Sequence, residues 1–192
     1  GVNRGSVVCF GGATCRLGRS AIHADSIHKA PRCRSAPRFQ QRGQDRSAAK
    51  RAIANAALAL LKPGLSLTLD TGTTTLELAK QLATISHLKV LTSSLAAASV
   101  LYGHDHLELV LLGGMARKGH PDLYGELTED NVRRFRVDIA FLGADALLAD
   151  GLYTGDANVA RVSKAIIAGA QRRILLADSS KFSRQAFRRF AT

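Results

Sequence analysis

The stretch LSLTLDTGTTT, residues 65–75, decides how this chain is read. Leu65, Leu67 and Leu69 alternate with Ser66 and Thr68, the period-2 pattern of a strand. Asp70 closes that strand. Thr71 and Gly72 follow, and glycine permits a sharp turn and the close approach of another group. Thr73, Thr74 and Thr75 then set hydroxyls beside the first amides of a helix, whose apolar face continues through Leu76, Leu78, Ala79 and Leu82. Helix-start amides lack intrahelical partners, and the helix dipole favours negative charge there. A phosphate or a sugar hydroxyl is the expected occupant. The same hydroxyls also suit an ordinary Ser/Thr helix cap, and the stretch alone leaves both readings open.

Outward from it the pattern repeats. Upstream, AAKRAIANAALALL from residue 48 is rich in helix formers, with Ile53, Ala57, Leu60 and Leu61 on one face, and Lys62-Pro63-Gly64 stops it. Downstream, HLKVL at 87–91 is a strand ending in Thr92, Ser93 and Ser94, which can also cap a helix over 95–102. LELVLL at 107–112 is a third strand, ending at Gly113 and Gly114. The long connection to Gly125 has the length of a functional lid. A helix over 127–135 carries Arg133, Arg134 and Arg136 at its end, where they suit the dipole. VDIAFL at 137–142 is a fourth strand, ending at Gly143, Ala144 and Asp145. A helix over 156–170 leads to a fifth strand at 174–177, ending in Asp178, Ser179, Ser180 and Lys181.

Nearly all-apolar strands alternating with helices predict an α/β fold: a mostly parallel sheet with helices on both faces. Each strand ends in a Gly, Ser/Thr or Asp cluster. In open α/β sheets ligands bind beyond the carboxyl ends of the strands, so these clusters are expected to converge on one pocket.

Composition sets the outer limits. A chain of 192 residues with 46% hydrophobic content supports one core. The net charge of +12 is unevenly spread: residues 1–50 hold ten Lys/Arg against two Asp/Glu, and the rest seventeen against thirteen. Residues 1–45 carry scattered His, Arg, Ser and Gln with Pro31 and Pro37 as breakers, so they are expected to be an irregular basic segment or linker. No succession of short amphipathic helices marks a helix-turn-helix there, and only Phe10 and Phe39 offer stacking surfaces for nucleic acid. Residues 46–192 are the expected α/β domain. No apolar run approaches the ~18 residues of a membrane span, and residues 1–20 do not read as a signal peptide, so a cytoplasmic setting is expected. Cys9, Cys15 and Cys33 fit no zinc spacing, and His104 and His106 read as surface-loop residues, so no metal is expected.

The pocket inventory is hydroxyls, glycine backbone, Asp70, Asp145, Asp178 and Lys181. This suits a phosphorylated polyol: backbone amides and an ammonium for the phosphate, carboxylates for the sugar hydroxyls. Each carboxylate could equally cap a helix. Asp145 favours function because it follows a buried strand and Gly143, whereas for Asp178 the two readings stand level.

Six pieces carry a resemblance: AKRAIANAA at 49–57, LDTGTTT at 69–75, LTSSL at 91–95, LLGG at 111–114, VDIAFLGAD at 137–145 and LLADSSKF at 175–182. In this order and spacing the chain resembles the C-terminal effector-sensing domain of the DeoR family of bacterial transcription regulators. The resemblance implies the fold of ribose 5-phosphate isomerase and CoA-transferase-like proteins, and a sugar-phosphate effector without cofactor. It implies DNA contact only through a helix-turn-helix domain not seen in this chain, and a homo-oligomer. Asp70, Gly72, Thr73, Thr74, Asp145 and Lys181 sit where that family places its ligand contacts. This chain departs from the pattern at Ser93, usually Asn; at Ala146, usually Gly; and at Ser163, where a lysine is usual and only Lys164 remains nearby. The chain also stops at Thr192, short of the family's usual last strand, which reads as truncation. The alternative is a sugar-phosphate isomerase with Asp145 as base. Such isomerases carry a further acidic residue after the Gly-Ala-Asp, where Ala146, Leu147 and Leu148 stand here.

Overall fold

The computed structural model describes residues 5–8, 14–16 and 39–192. In chain order these form β1 (Gly5–Val8), β2 (Thr14–Arg16), α1 (Phe39–Gln44), α2 (Ser47–Leu58), β3 (Ser66–Leu69), α3 (Thr73–Leu82), β4 (Leu88–Thr92), α4 (Leu95–Leu101), β5 (Leu107–Leu111), β6 (Met115–Ala116) and β7 (Leu123–Tyr124). They continue as α5 (Glu126–Arg133), β8 (Val137–Leu142), β9 (Ala146–Leu148), β10 (Gly151–Thr154), α6 (Ala157–Gly169), β11 (Ala170–Leu176), a 3₁₀ turn (Ser179–Ser183) and β12 (Arg188–Ala191).

The main sheet has seven strands in the order β2-β1-β11-β8-β3-β4-β5. Every pairing in it is parallel except that of β1 with β2. Strand periodicity divides the side chains between two layers. Leu67, Leu69, Val90, Ile139, Phe141 and Ile174 face a core shared with Ile53 and Ala57 of α2, Leu78 and Leu82 of α3 and Leu101 of α4. Leu91, Ala140, Leu142 and Leu175 face the other way, onto Val132 of α5 and Val162 and Ile166 of α6. Burial on both faces is why these strands read as almost continuous apolar runs. The helix starts are chemically marked: Ser94 accepts from the Ala97 amide, and Asp156 accepts from the amides of Asn158 and Val159.

The N-terminal part differs from the expected irregular segment. Gly5–Val8 pairs with β11 and Thr14–Arg16 pairs back on β1, while Phe39–Gln44 is helical. Four and three residues are too few for period-2 patterning to register. What places β1 is the edge of β11, a tertiary partner that local sequence does not reveal. Residues 9–13 and 17–38, with Cys9, Cys33 and both N-terminal prolines, lie outside the described residues. The connection from Gly113 to Gly125 is not loop alone: β6 and β7 form a two-stranded ribbon within it. A small second sheet, β12-β10-β9, forms from short runs not anticipated as strands. Among the described residues no helix is long and apolar enough to cross a membrane.

Phe141 is fully buried at the centre of the sheet. Phe141→Ala is expected to cost about 3–5 kcal/mol. Urea unfolding checks this, and a loss under about 1 kcal/mol would contradict the core assignment.

Candidate functional site

The carboxyl ends of β11, β8 and β3, three neighbours in the sheet, open onto one pocket. To one side of β3 lie β4 and β5, to the other β8 and β11, so the pocket stands where the strand order switches direction. Close approach of two loops shapes it. A Cβ at position 143 would stand 3.2 Å from the Thr71 carbonyl oxygen, so glycine lets the turn after β8 lie against the turn after β3.

Asp70 forms the floor. It is 2% exposed; its Oδ1 accepts from the Thr71 amide at 2.8 Å and its Oδ2 from the Ser163 hydroxyl at 3.0 Å. Burial pushes its pKa up to about 6, and the bonds from Thr71, Ser163 and Gly143 offset this only in part. Gly72 caps α3 without any side-chain bond, and no acidic residue stands in that helix's first turn. The opening amides of α3 therefore face the pocket with the positive end of the helix dipole. Thr73 and Thr74 line the pocket beside them, and the Thr75 hydroxyl turns back to the Gly72 carbonyl at 3.0 Å.

Asp145 lines the same pocket. Its Oδ2 accepts from the Thr154 hydroxyl at 3.0 Å and the Gly155 amide at 2.9 Å, and its Oδ1 from Arg42 Nη1 at 3.1 Å. Burial works against its charge. The Gly155 amide, the Arg42 guanidinium, the Thr154 hydroxyl and the nearby Lys181 outweigh burial and hold the carboxyl below its ordinary range. Asp178 caps the 3₁₀ turn through the Ser180 amide at 2.9 Å and also lines the pocket. Lys181 reaches in from that turn, and burial lowers its pKa against the pull of Asp145.

The sequence-derived set thus divides. Asp70, Thr71, Gly72, Thr73, Thr74, Thr75, Gly143, Asp145, Asp178 and Lys181 line one pocket. Thr92, Ser93, Ser94, Gly113, Gly114 and Lys164 do not. The hydroxyls after β4 serve the fold: Thr92 donates to the Leu69 carbonyl at 2.9 Å, and Ser94 caps α4. Ser93 is fully buried with its hydroxyl unpartnered. Gly114 lies where a Cβ would fall 2.0 Å from the Thr128 hydroxyl, so it lets the chain press onto α5. Lys164 is exposed on α6, while its neighbour Ser163 takes the inward position against Asp70.

Sequence reasoning missed Arg42, Lys50, Arg117, Thr154 and Ser163 as pocket residues. One signal was legible. Lys50 falls on the buried face of α2 with Ile53, Ala54 and Ala57, at i, i+3, i+4 and i+7. A lysine in an apolar stripe needs partners, and its Nζ donates to the carbonyls of Arg42 and Asp45. Arg117, on the ribbon, pairs with Asp122 and Asp156 and forms part of the wall.

A mostly parallel sheet with a polar rim pocket of this form is an α/β architecture of the ribose 5-phosphate isomerase kind. A solved isomerase in complex with phospho-erythronic acid superposes with a TM-score of 0.51 at 24% identity, over 69% of this chain and 52% of that one. The enzyme of Methanocaldococcus jannaschii gives 0.51 at 23%, over 69% and 53%. At these identities the likeness is one of fold. The chain itself belongs to the DeoR C terminal sensor domain family, whose model matches residues 45–192. Among curated relatives, a putative aga operon transcriptional repressor of Escherichia coli O157:H7 is 32% identical over 78% of this chain and 56% of its own length. A glycerol-3-phosphate regulon repressor of Haemophilus influenzae is 36% identical over 77% and 58%. The chain thus spans somewhat over half the length of these relatives.

The raised pKa of Asp70 makes a pH prediction. Between about 4 and 6 the folded chain holds a proton that the unfolded chain has released, so the contribution of this group to stability falls as pH rises through that window. Roughly two pKa units correspond to about 3 kcal/mol. Asp70→Asn removes this dependence. In urea unfolding the variant is expected to gain on the parent from pH 4 to pH 7.5; a pH-independent difference would contradict the assignment.

Proposed function

We propose that this chain is the effector-sensing part of a transcription regulator of sugar metabolism, and that a phosphorylated sugar or polyol binds at the rim of its sheet. The observation that carries this reading is the meeting of the uncapped start of α3, the Lys181 ammonium and the Asp145 carboxylate in one pocket. Free helix-start amides and an ammonium suit a phosphate. Carboxylates across the pocket suit the hydroxyls of the same molecule. The names of the curated relatives support the regulatory half, and one of them refers to a regulon for a phosphorylated polyol.

The mechanism is a shift of population. An effector that prefers one arrangement of the sensor biases the helix-turn-helix domains attached to it, and hence their hold on DNA. The sensor associates as a homo-oligomer in the cytoplasm, and binding needs neither cofactor nor metal. An isomerase mechanism is less well supported. A second acidic group beyond Asp145 would help carry the proton, but residues 146–148 are the apolar strand β9, with Ala146 and Leu147 buried in the fold.

Thermal melting with glycerol 3-phosphate, ribose 5-phosphate and glucose 6-phosphate tests this, against the same compounds without phosphate. At a hundred times Kd the bound form gains about 2.7 kcal/mol, a rise of roughly 5–10 °C for a chain of this size. Lys181→Ala and Thr73→Ala are expected to abolish the rise while leaving the ligand-free fold intact. Isomerase turnover that disappears in Asp145→Asn would overturn the sensor reading.

A further inference from the structure

α1 stands apart from the rest of the α/β domain in how it is held. It has no buried residue, yet Gln41, Arg42 and Asp45 from it and its end line the pocket. Several of its attachments are polar. Lys50, 5% exposed, fixes the main chain at the end of α1 by donating to the carbonyls of Arg42 and Asp45. Arg184 stands 4.0 Å from Asp45. Arg42 reaches across the pocket to Asp145 at 3.1 Å. Partly exposed ion pairs of this kind hold weakly, typically about 0–1 kcal/mol each. The short helix is therefore docked by contacts that a charged ligand in the pocket can rearrange.

The rearrangement has a definite centre. Asp145 Oδ2 is fully engaged by Thr154 and Gly155, so Oδ1, the oxygen held by Arg42, is the one left for a ligand hydroxyl. A hydroxyl that donates to Oδ1 takes its second acceptor site and weakens its hold on the guanidinium. A phosphate at the start of α3 offers that guanidinium a better partner, because Arg binds phosphate through two parallel charge-assisted bonds. α1 lies against α3, with Gly43 about 4 Å from Thr73 Cγ2 when given a Cβ.

Resting on the effector reading above, we infer that Arg42 is a specificity-determining residue of the pocket. It pairs with Asp145 when the pocket is empty and moves to the phosphate when the pocket is filled, so the docking of α1 reports occupancy. A ligand with hydroxyls and no anion loosens Arg42 without recapturing it. A phosphorylated one clamps α1 down. α1 immediately precedes the sensor's first long helix in sequence, so the segment leading into the sensor is ordered by ligand chemistry.

Hydrogen exchange on the whole 192-residue chain tests this, with the three phosphorylated probes above and their unphosphorylated forms. With a phosphorylated probe that raises the melting temperature, amides of residues 39–46 are expected to exchange about fivefold or more slowly, the lower end of ordinary coupling. The unphosphorylated form should not slow them. Arg42→Gln should keep its ligand-free melting, bind the phosphorylated probe about tenfold or more weakly, as for a lost bond to a charged group, and lose the ligand-dependent slowing. Arg42→Lys should recover part of the affinity. A probe that raises the melting temperature without slowing residues 39–46 overturns the inference while the effector reading stands. So does an Arg42→Gln chain that binds as tightly as the parent. The exchange arm on the parent chain decides the matter even if the variant fails to fold. No melting shift with any probe overturns the effector reading, and the role of Arg42 with it.

Discussion

Asp70 is a carboxyl group buried at the end of strand β3, and it connects three parts of the chain that are far apart in sequence. It binds the Thr71 amide at the start of the turn, the Ser163 hydroxyl on α6, and through its backbone amide the Phe141 carbonyl of β8. Burying such a group is costly unless it is hydrogen-bonded. The bonds that offset the cost also fix the relative position of the β3 turn, the β8 strand end and α6. The pocket walls are drawn from those same pieces. The geometry of the rim is therefore set by the requirement to satisfy one carboxyl group.

Only part of the rim lines the pocket. Strand β4 ends in hydroxyls as β3 does, yet Thr92 donates back to the Leu69 carbonyl and receives the Ser94 amide on its own oxygen. That pair of bonds ties the end of β4 to the end of β3 and starts α4. A hydroxyl bonded in both directions and fully buried is not presented to a ligand. The glycines after β5 are used sterically, against α5. Polar residues at strand ends are thus divided between those that close the backbone and those that face the switch point, and only the second group forms the pocket.

The division could not be read from the sequence, because LDTGTTT and LTSSL look alike as strand-end hydroxyl clusters. Their difference lies in sheet order, with β3 central between β8 and β4. The alternation of Leu65 to Leu69, the glycine stops and the long amphipathic helices were legible, since each is a local pattern with a fixed period. The strands β1, β9, β10 and β12 were not, because each is short and owes its conformation to a partner elsewhere. Arg42 and Thr154 belong to the same class: nothing in their neighbourhoods marks them, and they reach Asp145 only through the fold. Lys50 was the exception, a charged residue out of place on an apolar stripe.

Charge placement narrows where an anion can sit. Lys50 is committed to two backbone carbonyls, and Arg117 to Asp122 and Asp156. Arg46 stands 3.9 Å from Asp178, and Arg184 faces Asp45. Among the described residues Lys181 makes no ion pair, although Asp145 and Asp178 lie near enough to act on its charge. Burial weakens its hold on the proton, so a dianion beside it would strengthen that hold and be stabilised in return. The uncapped α3 start supplies the second source of positive potential. An anion placed between the two satisfies both without breaking an existing pair. Drawing in Arg42 as well takes that cation from Asp145. Its release leaves Asp145 with the Thr154 and Gly155 bonds and the field of Lys181.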